Sequence, residues 1–137
     1  MGIKSLYVST DVPSQVYGEL RRQLSGGPTR LATDPKQGEA QVKILAESGE
    51  KVILTLTGAG RVFDYQLRLR VRYQVTDGSE KPVIAPSEIE VRRIISYSET
   101  APLAKEAEEK LLFDDMRVEA AQQILRRIAV VRGYSPS

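Results

Sequence analysis

Thirteen consecutive residues alternate without a break. Phe63, Tyr65, Leu67, Leu69, Val71, Tyr73 and Val75 hold the odd positions, while Asp64, Gln66, Arg68, Arg70, Arg72 and Gln74 hold the even ones. Successive side chains of a strand point to opposite faces, so this strand has one apolar face and one charged face. Such a strand cannot stand alone. Its apolar face needs a second layer and its polar face tolerates water, which is the arrangement of a sheet covered on one side only.

The flanking segments supply the partners. Residues 3–9 are short and β-prone, and Thr10-Asp11-Val12-Pro13 then offers capping side chains and a proline suited to a first helical turn. Val12, Val16, Leu20 and Leu24 recur every four residues with Tyr17 beside them, and Ser25-Gly26-Gly27-Pro28 ends that helix. Residues 28–39 have no period and read as a loop. Val42, Ile44 and Ala46, then Val52, Leu54 and Leu56, alternate on either side of Ser48-Gly49, predicting one long strand bent or broken at the glycine. Thr76-Asp77-Gly78-Ser79 is a turn into a further strand through Glu88, Glu90 and Ile94.

A long helix is predicted from about residue 100 to 132, with Pro102 in its first turn. Its apolar stripe is read through Ala107, Leu111, Val118, Ala121, Leu125 and Ile128, with Asp114 close to it and Glu108, Asp115, Glu119, Gln122 and Arg126 opposite. Glu106, Glu108 and Glu109 near the start and Arg126, Arg127 and Arg132 near the end are placed to complement the helix dipole. The expected fold is α/β, an α+β two-layer sandwich of order β-α-β-β-β-α. Two helices lie on one face of a mixed, mainly antiparallel sheet of about four strands, and the first strand runs parallel to a neighbour. The whole chain, 1–137, reads as a single domain. Residues 1–2 read as a start added ahead of it, with no targeting segment, and 133–137 as a frayed tail.

Composition narrows the chemistry. Cysteine, histidine and tryptophan are absent, which removes thiol nucleophiles, disulfides, imidazole bases and the usual zinc ligands together. No catalytic residue, metal site or cofactor is expected. Net charge is only +2, so attraction to polyanions has to come from local patterning. No apolar run approaches the ~18 residues of a membrane span.

Local patterning offers few candidates. Gly58-Ala59-Gly60-Arg61 lacks the third glycine and the Lys-Ser or Lys-Thr of a phosphate loop and reads as a turn between strands, with Arg61 open to an anionic partner. Glu108-Glu109 and Asp114-Asp115 point about 100° apart on a helix and read as a solvated face, not an acid/base pair. Arg68, Arg70 and Arg72 form a guanidinium row that either grips phosphate or pairs with Glu88 and Glu90 of the next strand. An RNA-binding sheet wants aromatics on that same face, and Phe63, Tyr65 and Tyr73 lie on the other. Leu112 and Met116, one turn apart and off the stripe, are either a partner-facing patch or the edge of a wide core.

The segments Phe63-Asp64-Tyr65-Gln66-Leu67, Leu103-Ala104-Lys105-Glu106-Ala107-Glu108 and Asp115-Met116, through Ala120-Ala121-Gln122-Gln123-Ile124-Leu125-Arg126-Arg127, resemble LptE, the LPS-assembly lipoprotein family. The resemblance extends over nearly the whole chain, including Ser5-Leu6-Tyr7-Val8. It implies a non-enzymatic, lipid-anchored protein on the periplasmic side of the outer membrane, plugging the LptD β-barrel and binding lipopolysaccharide, with no nucleic acid partner. It also implies two helices against a mixed sheet and places a basic lipopolysaccharide contact at Lys105. Arg61, Arg68, Arg70 and Arg72 join Lys105 as candidates on charge and position, and Leu112 and Met116 are candidate barrel contacts. The lipid-bearing cysteine expected upstream is not in this sequence. The alternative expectation is a free-standing module that binds nucleic acid or another polyanion through the arginine row.

Overall fold

The structure, a computed structural model, describes residues 4–27, 29–56, 59, 62–96 and 102–131. Strand β1 (Ser5–Thr10) leads to helix α1 (Gln15–Ser25), whose N-cap is Ser14; its hydroxyl accepts from the Tyr17 N–H at 3.0 Å. The cap therefore lies beyond the Thr10-Asp11 pair that the sequence favours. Val16, Leu20 and Leu24 are buried as expected and Val12 packs against them, each buried side chain stabilising by roughly 1.5–3 kcal/mol. Gly26 closes the helix.

Residues 29–39, within the segment read as a loop, carry regular structure. They hold a two-residue strand β2 (Arg30–Leu31), parallel to β1, and a 3-10 turn at Pro35–Gln37. The sheet thus has five strands, not four, in the order β2-β1-β3-β4-β5, with β3 (Ala40–Leu56), β4 (Val62–Asp77) and β5 (Pro82–Ser96). β1 runs parallel to both its neighbours, while β3, β4 and β5 are antiparallel. Gly49 does not break β3. The register slips instead between Ile44 and Ala46 and again between Ile53 and Leu56, while Gly49 pairs regularly with Leu69.

β1 pairs only with residues 40–44 of β3, so the rest of the β3–β4–β5 meander projects past it as a three-stranded arm. Helix α2 (Pro102–Val131) lies along the arm and the body on the same side as α1. Its buried residues are Met116, Ala120, Ala121, Ile124 and Ile128, and they meet Leu67, Leu69, Val71, Tyr73 and Val75 of β4 with Ile89, Val91 and Ile95 of β5 in one core.

Three expectations for α2 are corrected. The stripe holds at Ala121, Leu125 and Ile128 but not at its start: Ala107 and Leu111 are exposed, Leu111 by 69%, while Met116 is fully buried and Leu112 packs half-buried on the core. Asp114 stands outside the core, exposed and bonded to Arg117. Of the charges noted for the dipole, Glu106, Glu108, Glu109, Arg126 and Arg127 fall outside the terminal turns, where the effect fades, and Arg132 lies outside the described residues. Val52, Leu54 and Leu56 were likewise expected to resume the core pattern, yet Leu54 and Leu56 are exposed near the end of the arm.

Candidate interaction surfaces

Alternation on β4 turns Leu67, Leu69, Val71 and Tyr73 to the helices, which leaves Arg68, Arg70 and Arg72 on the uncovered face. The register sets Arg92 of β5 beside Arg68, Glu90 beside Arg70 and Glu88 beside Arg72, while Glu50 of β3 lies beside Arg68 on the other flank. The pairing reading of the row is realised through Glu90, with Glu50 as a further partner. Arg70 Nε donates to Glu90 Oε1 at 2.8 Å and its guanidinium lies 3.4 Å from Glu50; Arg68 is 3.6 Å from Glu50; Arg92 also pairs with Glu90. The Arg70 bond, then the Arg92 bond, holds the Glu90 carboxyl below its usual range, and the same Glu90 bond raises Arg70. These contacts lie at the protein surface, where such pairs contribute little to stability.

Lys105 stands at the far end of the arm, donating to Ser96 Oγ at 3.3 Å and Glu108 at 3.1 Å. Exposed apolar side chains gather on this arm: Ile53, Leu54 and Leu56 on β3, Ile94 on β5, Leu103 and Leu111 on α2. Arg61 lies outside the described residues, as do Gly58 and Gly60 of its turn and the Phe63 side chain. Met116, at 0% exposure, has no surface to offer a partner and Leu112 little, so this pair belongs to the core. The aromatics of β4 that are described, Tyr65 and Tyr73, are on the helix side; Tyr73 is fully buried and its hydroxyl accepts from Arg127 at 3.2 Å.

Among the described residues no three His, Cys, Asp or Glu side chains gather as a metal site, and no helix is long and apolar enough to cross a membrane. An open cleft of about 400 Å³ lies between the 3-10 turn and the β4–β5 turn, lined by Asp34, Lys36, Gln41, Ser79 and Glu80 among others. Ser79 is an exposed turn residue there with no histidine in the chain to activate it.

The lipopolysaccharide-assembly family LptE matches residues 3–128, nearly the full length of the chain. The chain belongs to the LptE family. Among its relatives, the LPS-assembly lipoprotein LptE of Yersinia enterocolitica is 30% identical over 129 residues, covering 93% of this chain and 61% of the relative. That of Pectobacterium atrosepticum is 28% identical over 140 residues, covering 91% of this chain and 75% of the relative. The chain thus spans between three-fifths and three-quarters of the length of these two proteins. Of solved structures, lipoprotein B of Nitrosomonas europaea superposes with a TM-score of 0.87 at 28% identity, covering 97% of this chain and 86% of that one. The rare lipoprotein B of Shewanella oneidensis gives 0.81 at 25%, covering 95% and 97%.

Sequence reasoning missed the groups that fasten the two layers of this LptE domain. Arg93 was passed over in β5; its guanidinium donates to Glu119 Oε1 at 2.6 Å and to Asp115 Oδ2 at 3.4 Å, both on α2. Glu47 of β3 accepts from Ser14 Oγ at 2.6 Å and from the Val16 N–H at 3.0 Å, capping α1 from another strand. Its other oxygen lies 3.5 Å from Arg117 Nε. That contact is one of charge alone, because the buried Nε–H meets no acceptor at hydrogen-bonding geometry. The odd parity of Arg93 with Ile89, Val91 and Ile95 was the available signal.

Proposed function

We propose that the chain is a non-enzymatic component of the outer-membrane lipopolysaccharide-assembly complex, a lipid-anchored plug of the LptD β-barrel that binds lipopolysaccharide on its periplasmic side. Membership of the LptE family over residues 3–128 carries this reading. Physical chemistry supports it. A barrel lumen is polar, and a plug for it needs a charged, nearly neutral exterior like the arginine–glutamate lattice of the open sheet face. Lipopolysaccharide joins phosphates to acyl chains, so it calls for a cation beside apolar surface. Lys105, on an arm whose exposed apolar residues include Leu54, Leu56 and Leu103, provides both, and Arg61 falls between β3 and β4 in the sequence. Such a plug works by shape and charge and makes or breaks no covalent bond.

The test is purification of the natural full-length protein from native outer membranes, with lipopolysaccharide binding measured on the soluble domain and on Lys105→Ala. Recovery of the barrel in stoichiometric amount and weakened lipopolysaccharide binding by the variant are expected. Absence of the barrel from the eluate would overturn the plug. Tight, steeply salt-dependent binding to DNA or RNA in place of lipopolysaccharide would instead favour a free polyanion-binding module.

A further inference from the structure

Both helices cover one side of the sheet, so the other side is a broad surface that no described element covers. We infer that this open face, through Arg68, Arg70, Arg72 and Arg92, is the side that seats on the barrel wall, and that the wall patch it meets presents carboxylates. The inference rests on the plug reading and adds to it which surface docks and on what chemistry.

The first argument is a count of donors. Four guanidiniums bring about twenty N–H donors to the face, and Glu50, Glu88 and Glu90 return about twelve lone-pair sites. Even with every local pair made, the face has donors left over for an incoming surface. Residues two apart on a strand are roughly 6.6 Å apart, so the row offers forks at regular spacing for planar, bidentate carboxylates. The existing pairs hold Arg68, Arg70 and Arg92 together in the free protein. Exposed pairs of this kind exchange partners readily when carboxylates arrive from outside.

The second argument separates this face from lipid and from nucleic acid. By register Ile94 is on this face, beside Gln66 towards one end, whereas Ile53 pairs with Tyr65 on the helix side and Leu103 is on α2. Acyl chains have little to bury against the arginine row. Nucleotide bases lack a stacking platform on β4, whose Tyr65 and Tyr73 face the helices. A wet protein wall satisfies guanidinium forks without requiring either.

The experiment uses the full-length protein in cells with its barrel. A photo-crosslinking residue replaces Arg72 or Arg92 on the open face, or Gln122 or Arg126 on the exposed side of the helix layer. Barrel adducts from positions 72 and 92 are expected, and Arg72→Glu with Arg92→Glu should lower recovery of the barrel by about tenfold, with Arg72→Lys and Arg92→Lys intermediate. Lipopolysaccharide binding by the purified Arg92→Glu variant, checked for folding by circular dichroism, should be unchanged. Adducts from 122 and 126 with none from 72 and 92 would overturn the docking face and leave the plug intact. No barrel adduct from any of the four would sink the plug reading as well. Loss of lipopolysaccharide binding in the folded Arg92→Glu variant would assign the row to lipid phosphate and overturn the inference.

Discussion

Glu47 performs two tasks that no local pattern announces, because its partners are 33 and 31 residues away in sequence and its cation is on a third element. Its carboxylate takes the place of a side chain at the start of α1 and holds the Ser14 hydroxyl in its capping position. Truncation would strip the cap and leave Arg117, which is mostly buried, without its nearest anion other than Asp114. Glu47→Ala should therefore cost about 2–4 kcal/mol, read as a lower urea midpoint, and Glu47→Gln distinctly less because its amide oxygen still accepts. An unchanged midpoint in Glu47→Ala would show that the cap contributes nothing.

At the level of elements, Gly49 of β3 lies against Phe113 of α2. A Cβ on that residue would stand 3.1 Å from Cε1 of Phe113, so the absent side chain makes room for the ring. Gly49→Val should lift the ring or the helix at a cost of about 1–3 kcal/mol, partly recovered by adding Phe113→Ala. Additive losses in the double variant, from denaturant titration, would mean the two do not meet. The sequence signalled a glycine of consequence there, but a close approach from another layer looks the same in one dimension as a bend. What could be read directly was the alternation of β4 and the four-residue recurrence of α1, where one period dominates. β2 escaped because two residues have no period. The stripe of α2 was read correctly at Ala121 and Ile128 but carried through Leu111, a large apolar group that is exposed, and it passed over Ala120 and Ile124. Of the candidate surfaces, the arginine row and its glutamate partners were legible from strand parity; the apolar end of the arm was not, since exposed Leu54 and Leu56 read as core.

For the molecule as a whole, the ion pairs set how stability responds to acid. The hydrogen bond from Arg93 holds the Glu119 carboxyl below its ordinary range, and the bond from Arg22 does the same for Glu19. An unfolded glutamate titrates near ~4.3, so on acidification the unfolded chain takes up protons first and the folded state loses its advantage. The contribution of these pairs is complete above that value and is lost as pH falls through the lower folded value. Glu119→Gln should therefore flatten the acid limb of a plot of melting temperature against pH, and an identical slope in the variant would show that Arg93 leaves the titration untouched. Because Arg93 and Glu119 belong to different layers, acid loosens the seam between helix and sheet as well as the surface.

The 30 residues of α2 are fastened unevenly. From Met116 onward the helix is set into the core, whereas most of residues 103–111 are bathed in water and meet the arm chiefly through Lys105 with Ser96 and Glu109 with Lys51. It is a cantilever, clamped at one end and resting lightly at the other. Its light end can yield while the clamp holds the sheet in place, so a lipid bound at Lys105, as proposed, would move the helix tip without disturbing the core.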